Sequence, residues 1–347
     1  MITVIGAGSW GSALAGVLNA NDQSLCLVSR NQSLLQEITS HNTNSKYLGK
    51  LKLFKNLNLV STTTVLDQAI TQQTKYIVIA LPCEYFLSTI NQIKKILTTK
   101  KLPNIIIINS TKGLAGNEHD AAEHSNSAAF QWLHEVIEKK LGKDYPYCML
   151  SGPSFAQEVA QYKPTSIVMA AKNLELAQET SKLFHNEWFR VYTNNDVLGV
   201  ELGGALKNIL AFAVGCAEGY GFGSNACAAI ITRGLHEMMS LGKALNVKQE
   251  TITGLSGLGD LVLTATDNQS RNKRFGNYIG QGLDIDSALA KVGQHVASFT
   301  TTKLIHQLVK EYQLDLPITE QAYNLLYENV GLEQVINNLM SRPQKAE

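Results

Sequence analysis

The chain has 347 residues, 44% of them hydrophobic and 17% charged, enough to bury a large core and to build two domains. Its 30 basic residues nearly balance 29 acidic ones, so nothing electrostatic draws it to nucleic acid or to an anionic membrane. Five cysteines, Cys26, Cys83, Cys148, Cys216 and Cys227, form no Cys-x-x-Cys pair and no even framework, which predicts a reduced, cytoplasmic setting.

The first apolar run, Ile2 to Ile5, reads as a strand with no signal peptide ahead of it. Directly behind it stand Gly6-Ala7-Gly8-Ser9-Trp10-Gly11, opening the helix-like stretch Ser12 to Leu18. In a strand-turn-helix context this spacing is a dinucleotide-binding turn. Gly6 permits the tight turn, Gly8 leaves room for a pyrophosphate, and Gly11 lets the helix lie against the strand. The helix N-terminus then offers free N–H groups to the anion, so NAD or NADP is expected. A second strand, Leu25 to Val28, ends in Ser29-Arg30, where NAD-specific domains keep an acidic residue for the ribose. Arg30 either clamps a 2′-phosphate or stacks on adenine, which admits NADP, or is a solvated loop residue; position alone leaves both open.

Strand-like runs follow at Tyr76 to Leu81, Ile105 to Asn109, Tyr147 to Leu150, Ser166 to Ala170 and Arg190 to Tyr192, with amphipathic stretches between them. This rhythm predicts an α/β domain with a parallel sheet. Trp132, Leu133, Val136, Ile137 and Leu141 predict one buried helix face. Cys83, after Pro82 at a strand end, is expected to open a helix whose N-terminus lowers its thiol pKa, unless it is a small inert turn residue. His119, Asp120, Glu123 and His124 match no standard ligand spacing, so no metal is expected.

Asn194-Asn195-Asp196 is a helix start signal, and strand patterns end there. The predicted division is 1–193 for nucleotide binding and 194–347 for an all-α domain. The apolar stretches are read as falling short of the ~20 residues that cross a bilayer, so a soluble chain without membrane insertion is expected.

Lys112, in Ser110-Thr111-Lys112-Gly113-Leu114, follows a strand, at the edge where open α/β sheets bind ligands. Ser151-Gly152-Pro153-Ser154-Phe155-Ala156 follows another, and its small residues can bring backbone N–H groups to a polar ligand. Either loop could equally be structural. In the apolar segment Gly199 to Leu210, Lys207 is the single cation; burial would lower its pKa towards the range useful for proton transfer, unless it snorkels to water. Asp260, among glycines and leucines in Gly254 to Thr264, would suit Lys207 as a partner or cap a helix. Thr264 is placed to orient either of them. Ser270-Arg271-Asn272-Lys273-Arg274 can grip a phosphate or form a basic surface turn.

The segments Gly6 to Gly11, Thr111 to Leu114, Leu150 to Val159, Gly199 to Leu210, Asn225 to Gly234, Gly257 to Thr264 and Ser270 to Gly276 occur in order from residue 2 to about residue 328. Together they resemble bacterial NAD(P)-dependent glycerol-3-phosphate dehydrogenases. The resemblance implies a Rossmann domain, a helical domain, and a cytoplasmic homodimer that reversibly reduces dihydroxyacetone phosphate for phospholipid synthesis. It implies cofactor contacts from Ser9, Trp10, Arg30, Lys112, Ala156, Arg271, His295 and Ala297. Lys112, Gly152, Ser154, Lys207, Asp260, Ser270, Arg271 and Asn272 then bind the substrate, and Lys207 is the proton donor and acceptor. Ala297 and Ser298 depart from the glutamate and glycine of the family, Gly49 from a proline after Tyr47-Leu48, and Cys83 from a serine. Two other readings are an enzyme for another phosphorylated or carboxylated hydroxy compound and a nucleotide sensor without catalysis. A sensor has no need of Lys112, Lys207, Asp260 and Arg271 together.

Overall fold

The computed structural model describes residues 1–116 and 130–344. His119, Asp120, Glu123 and His124 therefore lie outside the described residues. The chain forms two compact units: Gln131–Glu201 and the chain before residue 117 belong to the first, and Leu202 to the C-terminus belongs to the second. The division falls eight residues beyond Thr193, where the sequence reading placed it, and inside a single helix, Val197–Gly219.

The first unit is built on an eight-stranded sheet: β1 Ile2–Ile5, β2 Leu25–Val28, β3 Val60–Thr63, β4 Tyr76–Ile79, β5 Ile106–Asn109, β6 Tyr147–Ser151, β7 Thr165–Ala170 and β8 Phe189–Asn194. Their spatial order is β8-β7-β6-β5-β4-β1-β2-β3. Six of them, β3-β2-β1-β4-β5-β6, run parallel in the order of a dinucleotide-binding sheet, whose switch point lies between β1 and β4. Side chains alternate across it. Ile2, Val4, Leu25, Leu27, Val78 and Ile108 enter one core, while Ile5, Ile77, Ile79 and Ile107 enter the other, so both faces are covered.

Two features differ from the expected sheet. Strand β3, Val-Ser-Thr-Thr, is partly exposed and pairs only with β2, so its sequence carries no core pattern. Strand β7 runs antiparallel to β6, because the segment between them holds only the one-turn helix Ala156–Ala160 and turns the chain back. The helix Leu174–Ser181 then carries the chain over to β8, which is parallel to β7. The stripe at Leu133, Val136 and Ile137 is the buried face of the helix Leu133–Leu141.

The second unit is helical. The helix Val197–Gly219, which belongs to this unit from Leu202 onward, starts where expected, with Asp196 Oδ1 accepting the Gly199 N–H at 3.0 Å. It has 23 residues and contains an 18-residue stretch of mean hydropathy 1.6, so by length and composition it could cross a bilayer, contrary to the sequence reading. The helix is mostly buried inside the fold, which accounts for its composition as that of a core helix. The carboxylate of Glu237 accepts the Ile318 and Thr319 N–H groups at 2.5 and 3.0 Å and so satisfies the first turn of the helix Pro317–Tyr327. Gly49, where the family pattern has proline, takes φ +66°, outside the range a proline ring allows.

Candidate active site

The glycine turn follows β1 at the carboxyl edge of the sheet. Gly6 adopts φ +109°, and a Cβ there would stand 2.4 Å from the Ala80 carbonyl oxygen. A Cβ on Gly11 would meet the Gly6 carbonyl oxygen at 1.8 Å, so strand and helix touch through these two residues. Gly8 is different. Its Cβ would meet nothing within 4 Å, and it precedes the helix Ser9–Ala20 with no side chain capping the first N–H groups. Beside it, the buried Trp10 Nε1 has no hydrogen-bond partner among the described residues. Open space, uncapped donors and an orphan N–H fit a dinucleotide pyrophosphate.

Arg30 stands exposed after β2 with its guanidinium 4.7 Å from the Tyr85 ring centroid. Lys112, after β5, donates from Nζ to the Gly152 carbonyl at 3.0 Å. The same oxygen accepts the Ser154 hydroxyl at 3.0 Å, so the loops after β5 and β6 converge on one atom. Gly152 takes φ +138°, and a side chain there would strike Ile167. The neighbouring Thr111 and Ser151 hydroxyls are buried and unpartnered among the described residues, two free polar groups flanking this pair of loops. Ala156 opens the next short helix and packs on the core.

In the second unit Lys207 is buried and bonded to two groups, Asp260 Oδ1 at 2.5 Å and Thr264 Oγ1 at 3.0 Å. Thr264 donates in turn to the Asp260 backbone carbonyl at 2.6 Å, tying both members together. Close backbone packing builds the trio. A Cβ on Gly203 would come within 2.5 Å of the Ser256 carbonyl oxygen, so the helix of Lys207 lies against the π-helical turn Leu255–Gly259 that leads into Asp260. Next to Lys207, Asn208 Oδ1 accepts from Asn272 Nδ2 at 2.8 Å, and Asn272 Oδ1 accepts the Ser298 N–H at 2.8 Å.

The basic run after Asp260 separates into roles. Ser270 spends its hydroxyl as the cap of the helix Arg271–Gly280. Lys273 is buried, pairs with Glu218 at 2.9 Å and donates to the Thr266 carbonyl. Arg274 donates to the Asn268 carbonyl at 2.9 Å. Arg271 is exposed and meets no carboxylate among the described residues, which leaves it for an anion.

Family models for the NAD-dependent glycerol-3-phosphate dehydrogenase N-terminus and C-terminus match residues 1–177 and 196–337. The chain belongs to the NAD-dependent glycerol-3-phosphate dehydrogenase family. It is 41% identical to the glycerol-3-phosphate dehydrogenase [NAD(P)+] of Bartonella quintana, over all of this chain and 96% of that protein. To that of Thioalkalivibrio sulfidiphilus it is 39% identical, over all of this chain and 98% of that protein. The crystal structure of glycerol-3-phosphate dehydrogenase from Coxiella burnetii superposes with a TM-score of 0.87 at 38% identity, covering 98% of each chain.

Among the residues singled out for this dehydrogenase family, the first unit gathers Gly6, Gly8, Ser9, Trp10, Gly11, Arg30, Lys112, Gly152, Ser154 and Ala156 after its parallel strands. The second brings Lys207, Asp260 and Asn272 into hydrogen-bonded clusters; His295 and Ala297 lie half-buried just before and at the start of the helix Ala297–Glu311. Asn208 was not singled out, although its place beside Lys207 on an apolar helix was a usable signal. Cys83 departs from expectation. It does open a helix, through the 3₁₀ turn Cys83–Tyr85 that runs straight into the helix Phe86–Lys100, but its thiol donates to the Leu114 carbonyl at 2.9 Å. Burial, then the charges of Glu201 and Glu84, push its pKa up to about 12, so it is no reactive thiolate.

Proposed function

We propose that the chain catalyses reversible reduction of dihydroxyacetone phosphate to sn-glycerol 3-phosphate with NADH or NADPH, with Lys207 as the proton donor and acceptor. The observation that carries this reading is the buried Lys207–Asp260–Thr264 trio in a chain of this family. Bound NADH or NADPH supplies the hydride to the ketone carbon. Gly6, Gly8, Ser9, Trp10 and Gly11 cradle its pyrophosphate end, and Arg30, Ala156, His295 and Ala297 add contacts. As negative charge grows on the ketone oxygen, the Lys207 ammonium stabilises it and gives up a proton; Asp260 and Thr264 hold the Nζ in place. Lys112 adds positive charge, while Gly152 and Ser154 shape the loop that its ammonium joins. Arg271, with Ser270 and Asn272 beside it, grips the phosphate and fixes the ketone. On this reading the enzyme is a cytoplasmic homodimer that supplies glycerophospholipid synthesis.

Arg271→Ala should raise KM for dihydroxyacetone phosphate by about 10²-fold, as for loss of a charge-assisted contact, and leave the weak activity on dihydroxyacetone unchanged. Steady-state rates on both ketones decide it: equal losses on the two remove Arg271 from the phosphate site.

Arg30→Asp should weaken NADPH binding far more than NADH binding, because it removes a cation and adds a like charge beside the 2′-phosphate. Fluorescence titrations with the two cofactors measure this. An unchanged preference places Arg30 away from the ribose.

A further inference from the structure

Glu201 is 1% exposed, and its carboxylate is fully engaged inside the first unit. Its Oε1 accepts the Tyr147 hydroxyl at 2.7 Å and the His134 backbone N–H at 3.0 Å, and its Oε2 faces His134 Nδ1 at 2.9 Å. Burial and Glu201 hold the Tyr147 phenol well above its ordinary pKa, so the O–H stays protonated and donates to Glu201. Burial opposes a charge on the His134 ring, but the Glu201 hydrogen bond and charge outweigh it, and the ring keeps its proton above its ordinary pKa.

The Tyr147 oxygen also accepts from Asn109 Nδ2 at 3.0 Å. Asn109 in turn holds both backbone groups of Thr111: its Nδ2 donates to the Thr111 carbonyl at 3.3 Å, and its Oδ1 accepts the Thr111 N–H at 2.9 Å. The next residue is Lys112. We propose that Glu201, Tyr147 and Asn109 form a buried positioning relay that sets the backbone from which Lys112 reaches the ligand, with Glu201 as its fixed end. A buried carboxylate bonded to three donors has one arrangement available to it, so the phenol and then the amide inherit that arrangement. The inference rests on the reading that Lys112 serves the reaction.

Tyr147→Phe removes the single oxygen that joins Glu201 to Asn109 and keeps the ring. It should lower kcat/KM for dihydroxyacetone phosphate by about tenfold while NADH affinity stays near wild type, the scale expected for a slightly misplaced group. In a Lys112→Ala background the same substitution should change kcat/KM by less than about twofold, because the residue it positions is gone. Glu201→Gln, measured alongside, should follow the same pattern. Equal tenfold losses with and without Lys112 would overturn the relay while leaving Lys112 in the site. Near-normal kcat/KM in Lys112→Ala alone would overturn the role of Lys112 and the relay with it.

Discussion

Lys207→Ala is expected to lower kcat for dihydroxyacetone phosphate by at least about 10²–10⁴-fold, the range for loss of a general acid, with loss of its charge adding to the deficit. NADH and NADPH should bind as they do to wild type, since Lys207 belongs to the second unit and the glycine turn to the first. Stability must fall as well. Asp260 is 1% exposed, and removing Lys207 takes away the cation that faces this buried carboxylate, at a cost of about 3–5 kcal/mol. The double variant Lys207→Ala with Asp260→Ala takes away both charges, so it should recover much of the thermal midpoint and none of the turnover. Steady-state assays beside thermal scans separate the two effects. Turnover near wild type in Lys207→Ala would remove the lysine from proton transfer.

Gly8→Ala and Gly11→Ala should fail in opposite ways, although they sit three residues apart. The added methyl at Gly11 would lie 1.8 Å from the Gly6 carbonyl oxygen, so the turn must open and the thermal midpoint must drop sharply. At Gly8 the methyl meets nothing within 4 Å, so the protein should fold at the wild-type midpoint. The methyl then takes space proposed for the pyrophosphate, and affinity for NADH and NADPH should fall by about tenfold or more, roughly 1.4 kcal/mol. Fluorescence titration with each cofactor reads the outcome. A Gly8→Ala variant that binds NADH like wild type would move the pyrophosphate elsewhere.

The legible parts of the sequence were those where local chemistry admits few solutions. Gly11 is required by the Gly6 carbonyl oxygen five residues before it, and Gly6 by its positive φ and the Ala80 carbonyl oxygen just after β4, so their spacing carries the turn with it. The apolar strands β1, β2, β4 and β5 are buried on both faces and read as continuous apolar runs. Strand β3 did not, because an edge strand needs no core pattern, and strand direction at β7 leaves no periodicity to read. Lys207 and Asp260 stood out as lone charges in apolar segments, and the structure joins them. Cys83 misled because its thiol is set by the Leu114 carbonyl and by burial, neither of which is local in sequence. The Glu201 network was invisible for the same reason: Asn109, His134, Tyr147 and Glu201 are brought together only by the folded sheet and its helices.

The central claim, a phosphate-selective ketone reductase dependent on Lys207, is tested most directly by following NADH and NADPH absorbance at one enzyme concentration with dihydroxyacetone phosphate and with dihydroxyacetone. Cofactor oxidation should be rapid with the phosphorylated ketone, should yield sn-glycerol 3-phosphate in equal amount, and should be weak with dihydroxyacetone and lost in Lys207→Ala. Comparable rates on both ketones, or no oxidation of either cofactor with dihydroxyacetone phosphate, would contradict it.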